Sequence, residues 1–316
     1  MLSTRSREVA SLTETSATQV ETTHRLFVGD SRRASPNIID RVELVVTSPP
    51  YWTIRDYGGS DQIGFGQSLQ QYISDLETVW RTCYAVLRDG CRMVVNIGDQ
   101  YLRATKGNPY QIIPLHAIVV NSIQKLRGCE FLYLGSIVWR KVSTTRPSGG
   151  ASVMGSYPYP RAVYPCFENE YLAIFRKPGE APRPTSHIRE LARMELDEWR
   201  DFTQGVWTVP GARMDENPSS FPEAIPARLI RMFTFPGETV LDPFVGSGTT
   251  MRAAASLGRN SVGIEIGFTT ASGRPFREII QERVLTAESA TGYAGRPSFT
   301  AAHLARFPAS PHPSHS

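Results

Sequence analysis

Two stretches of this 316-residue chain carry residue types that could do chemistry. In the first, Val45-Val46-Thr47-Ser48-Pro49-Pro50-Tyr51-Trp52, an apolar run suited to a buried strand meets two successive prolines, which extend neither a ladder nor a helix. The chain must turn out of the sheet at Pro49. That turn offers the Ser48 hydroxyl, the Pro49 carbonyl and the flat ring of Tyr51 at one edge. Two such acceptors can hold both hydrogens of an exocyclic amine, while an aromatic face stacks on the ring that bears it. The same residues also suit an ordinary turn around a packed tyrosine. The second stretch, Val240-Leu241-Asp242-Pro243-Phe244-Val245-Gly246-Ser247-Gly248-Thr249-Thr250, reads as a strand, a tight glycine turn and a helix start. Gly246 and Gly248 let backbone approach a ligand, and the helix beginning at Thr249 attracts an anion, carboxylate or phosphate alike.

Together the two stretches resemble, almost letter for letter, the hallmark motifs of the DNA amino-methyltransferases: a (Ser/Asp/Asn)-Pro-Pro-(Tyr/Phe) turn and an Asp-Pro-Phe-x-Gly-Ser-Gly loop. The turn precedes the loop, an order similar to that of the circularly permuted beta group. The resemblance implies a Rossmann-like, S-adenosylmethionine-dependent α/β fold: a doubly wound, mostly parallel sheet with an inserted target-recognition region. It assigns catalysis to Ser48, Pro49, Pro50 and Tyr51, and cofactor binding to Asp30, Asp242, Phe244, Gly246, Ser247, Gly248, Thr249 and Glu265. Serine in the first position goes mostly with methylation of cytosine N4, and aspartate with adenine N6. The expected activity is therefore transfer of methyl from S-adenosylmethionine to cytosine N4 in duplex DNA. Adenine N6 is the alternative, and a catalytically inactive DNA-binding homologue is a second. Duplex DNA and a companion restriction endonuclease of the same site are the expected partners of a monomer or weak dimer.

The elements that must position these residues are legible as periodicity. His24 to Asp30 reads as a short strand; Asp30 suits a cap of the following turn and, by the resemblance, lies beside the cofactor's adenine, two readings that do not exclude each other. Residues 52–66, with Arg55, Asp56, Tyr57 and several glycines, suit a mobile loop beside the site. Tyr72, Ile73, Leu76, Val79, Trp80, Cys83, Val86 and Leu87 recur with a helical period, and Asp89-Gly90 ends that helix before a strand from Arg92 to Ile97. Asp99 reads as a loop cap at the same edge as Ser48. A helix over 112–126 and a strand over 131–139 continue an alternation that argues for a doubly wound sheet.

Residues 140–217 break the rhythm. From 140 to 161 the chain carries Arg140, Lys141, Arg146 and Arg161 and no acid, which makes these four the candidate phosphate contacts or else a solvated basic loop. A strand at 171–175 and a helix at 188–199 follow. In the last third, a proline-entered helix near Pro222 and strands at 239–241 and 261–265 are expected. Glu265 falls about 20 residues past the glycine loop, where an acid accepts ribose hydroxyls in nucleoside-binding sheets. The loop over 267–273 is longer and richer in glycine than the usual link to the next helix, at 275–285. The predicted organisation is a disordered leader at 1–23, a catalytic half at 24–139, a target-recognition region at 140–217 around one core strand at about 170–177, a cofactor-binding half at 218–286, and a disordered tail at 287–316.

Composition fits this outline. A hydrophobic content of 41% is ample for a core, and no apolar run reaches the roughly 20 residues of a membrane span. The leader lacks the apolar segment of a secretory signal. Four scattered cysteines, Cys83, Cys91, Cys129 and Cys166, form no CxxC pair, so neither a metal site nor a disulfide framework is expected. Reduced thiols fit a cytoplasmic protein associated with the nucleoid through DNA. The net charge of +4 is compatible with a polyanionic partner.

Overall fold

Apolar strands buried on both faces need helices on both faces, and this requirement shapes the chain. In the computed structural model, residues 20–52, 62–102, 109–142, 157–161, 163, 168–211, 221–267, 269 and 273–304 are described. The elements run β1 (Val20–Val28), β2 (Val42–Thr47), α1 (Leu69–Val86), β3 (Leu87–Ile97), β4 (Gln100–Leu102), β5 (Gln111–Ile113), α2 (Leu115–Gln124), β6 (Leu132–Val142) and β7 (Asn169–Arg176). Then follow α3 (Ser186–Leu191), α4 (Leu196–Phe202), β8 (Val206–Pro210), α5 (Ala224–Phe233), β9 (Thr239–Asp242), α6 (Thr249–Ser256), β10 (Asn260–Glu265), α7 (Phe276–Leu285) and β11 (Ala294–His303).

One sheet of 9 strands has the order β11-β1-β10-β9-β2-β3-β7-β6-β8, and β4 and β5 form a separate hairpin. Strand β7 runs antiparallel to both of its neighbours, β3 and β6; the other pairings in this sheet are parallel. The doubly wound, mostly parallel architecture expected from the alternation is therefore present. All six residues of β2 are buried. On one face Val45 joins the apolar stripe of α1 and residues of α2; on the other, Leu44 and Val46 pack with Ile225 and Leu229 of α5 and Ala253 of α6. Helix α1 starts where Ser68 accepts a hydrogen bond from Gln71 N at 3.2 Å, a side-chain cap.

Several expectations need correction. The tail expected to lack order supplies β11, which pairs in parallel with β1 from Thr22↔Pro297 to Val28↔His303. The leader expected to end at residue 23 gives its last four residues, from Val20, to β1. Strand β11 is an edge strand of mostly small and polar residues, held by backbone pairing, so it leaves no hydrophobic alternation to detect. Asp89-Gly90 does not separate helix from strand: β3 begins at Leu87 and runs through it, with a register irregularity against β2 between Val42 and Leu44. The helix at 188–199 is two short ones, α3 and α4, the first capped by the Thr185 side chain. Strand β8 joins the sheet beside β6, and Trp139 Nε1 donates to Val209 O at 2.9 Å, so residues 140–217 hold more core than the one strand expected. Among the described residues no helix is long and apolar enough to cross a membrane, and no cluster of His, Cys, Asp and Glu could hold a metal. Cys83, Cys91 and Cys129 are buried free thiols; Cys166 lies outside the described residues.

Glu238, in the turn before β9, accepts Phe235 N at 2.8 Å, and burial pushes its carboxyl up from 4.5 to about 7. The native state thus holds this proton more tightly than the unfolded chain does. Its contribution to stability is complete below 4.5 and is lost as pH rises through about 7. Glu238→Gln removes the ionisation, so the Tm of the wild type should fall relative to the variant across that interval and run parallel to it above. Thermal unfolding of both proteins as a function of pH checks this.

Candidate active site

The parallel register of β2 and β9 decides where the two chemical stretches lie. Leu44 pairs with Val240 and Val45 with Leu241, so the Ser48 turn and the Pro243-Phe244 loop leave neighbouring strands side by side at the carboxyl edge. Open α/β sheets keep their binding crevices at this edge. A buried carboxylate ties the two exits together. Asp242 accepts from Thr47 Oγ1 at 2.6 Å, from Thr250 Oγ1 at 2.7 Å and from Phe244 N at 3.0 Å. Burial nevertheless raises its carboxyl to about 6, the three hydrogen bonds pulling the other way.

The loop after β9 divides into residues that face the protein and residues that face outward. Asp242, expected among the cofactor contacts, is buried and accepts from Thr47, Thr250 and Phe244 N, which anchors the loop. The Ser247 side chain is likewise buried and accepts from Arg283 Nη1 of α7 at 2.9 Å. Gly248, at φ +89°, is required for packing: a Cβ there would lie 3.0 Å from Ile280 Cγ1 of α7. Phe244, Gly246 and Thr249 keep partly exposed surface. The Phe244 ring stands edge-on to Trp80 at 6.2 Å between centroids. Helix α6 has no side-chain cap at Gly248, which leaves its first N–H groups for a ligand.

Two acids flank this loop. Glu265 ends β10 and accepts Gly246 N at 2.9 Å, which sets the backbone of the glycine turn. Asp30, just past β1, caps the following turn by accepting Arg32 N at 2.9 Å and pairs with the Arg32 guanidinium, which also reaches Asp75 at 2.6 Å. The turn cap expected of it is present. Ser31 Oγ donates to Pro243 O, which draws the exit of β1 against that of β9. Asp99, expected to cap its own loop, instead accepts His116 N in the first turn of α2 at 3.2 Å.

On the Ser48 side, Tyr72 OH donates to Pro50 O at 2.9 Å and Trp52 Nε1 to Gln67 O at 2.7 Å, bracing the turn against α1 and the residues before it. Asn96 at the end of β3 is buried, with Nδ2 lying 3.4 Å from both Ser48 Oγ and Tyr51 OH. The same nitrogen donates to Glu170 Oε2 at 2.7 Å. Burial, and after it the Glu170 carboxylate, holds the Tyr51 hydroxyl well above its usual range, so it remains a donor. Sequence reasoning missed Asn96 and Glu170. The available signal was a polar residue interrupting Met93 to Ile97 and an acid directly before Tyr171 to Phe175.

The basic candidates are not equivalent. Arg140 and Arg161 are exposed, while Lys141 pairs with Glu170 and lies over the Trp139 ring, so it is committed to the site's border. Arg146 lies outside the described residues, as do Arg55, Asp56 and Tyr57.

The family model N6_N4_Mtase, described as DNA methylase, matches residues 42–270. The type II methyltransferase M.MjaI of Methanocaldococcus jannaschii is 32% identical over 298 residues, spanning 84% of this chain and 92% of its own length. M.SmaI of Serratia marcescens, also a type II methyltransferase, is 29% identical over 285 residues, spanning 83% of this chain and 90% of its own. TTHA0409 of Thermus thermophilus, named as a candidate DNA modification methylase and solved in complex with S-adenosyl-L-methionine, superposes with a TM-score of 0.68. It is 30% identical and covers 90% of this chain and 100% of its own. The cytosine-N4-specific PvuII DNA methyltransferase shares the fold, with a TM-score of 0.54 at 17% identity over 86% of this chain and 97% of its own.

The anchoring of the loop after β9 makes a direct prediction. Asp242→Ala leaves the Thr47 and Thr250 hydroxyls and Phe244 N without their acceptor and should cost about 2–4 kcal/mol, whereas Asp242→Asn, which keeps an acceptor, should cost less. Urea unfolding at neutral pH measures both.

Proposed function

The chain belongs to the DNA methylase family, and from that premise we propose that it is a site-specific DNA methyltransferase acting on the exocyclic N4 of cytosine in duplex DNA. The observation that carries this reading is the adjacency of the Ser48-Pro49-Pro50-Tyr51 turn and the glycine loop on neighbouring strands. Serine at position 48, where an aspartate would favour adenine by the family pattern, supports cytosine. The type II methyltransferases among its relatives support a role in restriction and modification, alongside an endonuclease of the same site.

The outward parts of the site fit S-adenosylmethionine. The uncapped start of α6 suits its carboxylate, Glu265 suits its ribose hydroxyls, and Phe244, Gly246 and Thr249 line the rest, with Asp30 bordering the same edge. When bound, S-adenosylmethionine supplies an electrophilic methyl group on its sulfonium.

This chain's own residues then act on the base. An amine inside a duplex lies within the stack, so the cytosine must be extruded to reach Ser48. Ser48 Oγ and the Pro49 carbonyl accept the two amine hydrogens, which turns the nitrogen lone pair toward the methyl group; Tyr51 lines the ring. Asn96 Oδ1, buried without a partner among the described residues, marks a further acceptor beside Ser48. Holding the nitrogen in line contributes proximity and orientation. With S-adenosylmethionine bound, the N–C bond would form as the S–C bond breaks, and the methylated, acidic nitrogen would release its proton to water. No strong base is needed, and no covalent link to the enzyme forms. Arg140 and Arg161, with Arg146, are the proposed phosphate contacts of a recognition region within residues 140–217.

Digestion of methylated DNA to nucleosides is the deciding experiment. N4-methyldeoxycytidine is expected; N6-methyldeoxyadenosine would move the assignment to adenine, and retained cofactor binding without transfer would indicate an inactive homologue. Ser48→Ala should lower kcat on the order of 100-fold with little change in S-adenosylmethionine affinity. Glu265→Ala should instead weaken that affinity by roughly 10-fold or more, read by calorimetry.

A further inference from the structure

An aromatic side chain stands out in solvent at the border of the catalytic turn. Phe65 is 45% exposed, although Gln62 and Ile63 just before it are buried and Ile63 belongs to the core that the stripe of α1 fills. Leaving such a ring in water forgoes the gain of burying it. The turn that carries it is nevertheless braced. Gln67 holds it at three points: Oε1 accepts Gly64 N at 2.8 Å, the backbone oxygen accepts Trp52 Nε1 at 2.7 Å, and Nε2 donates to Asp75 Oδ2 at 2.8 Å.

The two glycines that flank Phe65 give the turn an inner and an outer side. Both have left-handed backbone, Gly64 at φ +103° and Gly66 at φ +73°, which reverses the chain sharply around the ring. A Cβ on Gly64 would lie 3.4 Å from Trp52 Cα, 3.5 Å from Tyr51 O and 3.5 Å from Tyr72 Cδ2, and the Tyr72 hydroxyl in turn donates to Pro50 O. The inner side is thus packed on the backbone that follows Ser48. A Cβ on Gly66 would meet nothing within 4 Å, so the outer side is open. From Gln62 to Ser74 the sequence has no charged residue, and nothing in this stretch repels a polyanion.

We propose that Phe65 is the wedge that enters the DNA stack when the target base leaves it. Extrusion opens a gap between the neighbouring base pairs, and its cost in lost stacking must be met from somewhere. Apolar side chains, phenylalanine among them, insert between base steps in this way, and an aromatic face stacks on any base. Because the turn is packed on Tyr51 and Trp52, the ring that enters the helix and the turn that receives the base move as one piece. Phe65 touches no reacting atom. It is a positioning residue, and its role rests on the base-extrusion reading of the Ser48 site.

The methylated positions of plasmid DNA give the target sequence. A synthetic duplex of that sequence is then prepared in two forms, one fully paired and one with an abasic position opposite the methylated base. Phe65→Ala should lower kcat/KM on the paired duplex by roughly 10-fold or more. On the abasic duplex, where the base leaves without losing a pair, variant and wild type should agree within about 2-fold. Phe65→Tyr, which keeps the ring, should stay near wild type on both, and the Kd for S-adenosylmethionine should not change in either variant. If Phe65→Ala does not fold, Phe65→Gln, which keeps length without a ring, takes its place. Equal losses on the two duplexes, or no loss on the paired one, overturn the wedge and leave the methyltransferase reading intact. Failure of the wild-type protein to methylate any DNA overturns both.

Discussion

One buried carboxylate holds two distant parts of the chain in chemical register. Asp242 receives hydrogen bonds from Thr47 on the neighbouring strand, from Thr250 at the head of α6 and from the backbone of its own loop. Burying an ionised group is costly unless its lone pairs are met, and the elevated carboxyl pKa, about 6, records that tension. What the cost secures is geometry. With Thr47 held to Asp242, the proline turn after β2 and the glycine turn after β9 leave the sheet side by side at its carboxyl edge. Ser31 adds the exit of β1, and Glu265 the exit of β10, to the same edge.

Much of this was legible in the amino-acid sequence, for identifiable reasons. Strand β2 and the turn after it are written in an apolar run stopped by two prolines, and α1 in a stripe with helical period. Asp30 was readable as a turn cap because an acid after a strand and a glycine is a local signal. Local signals fail where a role depends on register between distant strands. Asn96 and Glu170 meet only because β3 and β7 pair antiparallel, and Lys141, which reads as an outward basic residue, turns inward once β6 sets it beside Glu170. Nothing in the one-dimensional motif tells which of its residues face the protein: Ser247 and Gly248 press against α7, and the exposed surface of the loop falls to Phe244, Gly246 and Thr249.

The single reversed strand also changes how the recognition region relates to the core. Residues 140–217 are no appendage: they contain β7, which sits between β3 and β6, and β8, which extends the sheet beyond β6. Because β7 runs against its neighbours, the chain enters it at the carboxyl edge, beside the crevice rather than at the far end of the sheet.

The pairing of β1 with β10 and β11 bears on how the protein comes into being. Both lateral partners of β1 are synthesised long after it: His24 finds Ser261, its hydrogen-bonding partner, across 237 positions. Strand β1 must therefore wait, unsatisfied at both edges, until β10 and β11 have been made. Contacts of such length slow the search for the native state and expose strand edges meanwhile. The carboxyl edge, bordered by the exit of β1, is accordingly completed only after β10 and β11 have joined the sheet.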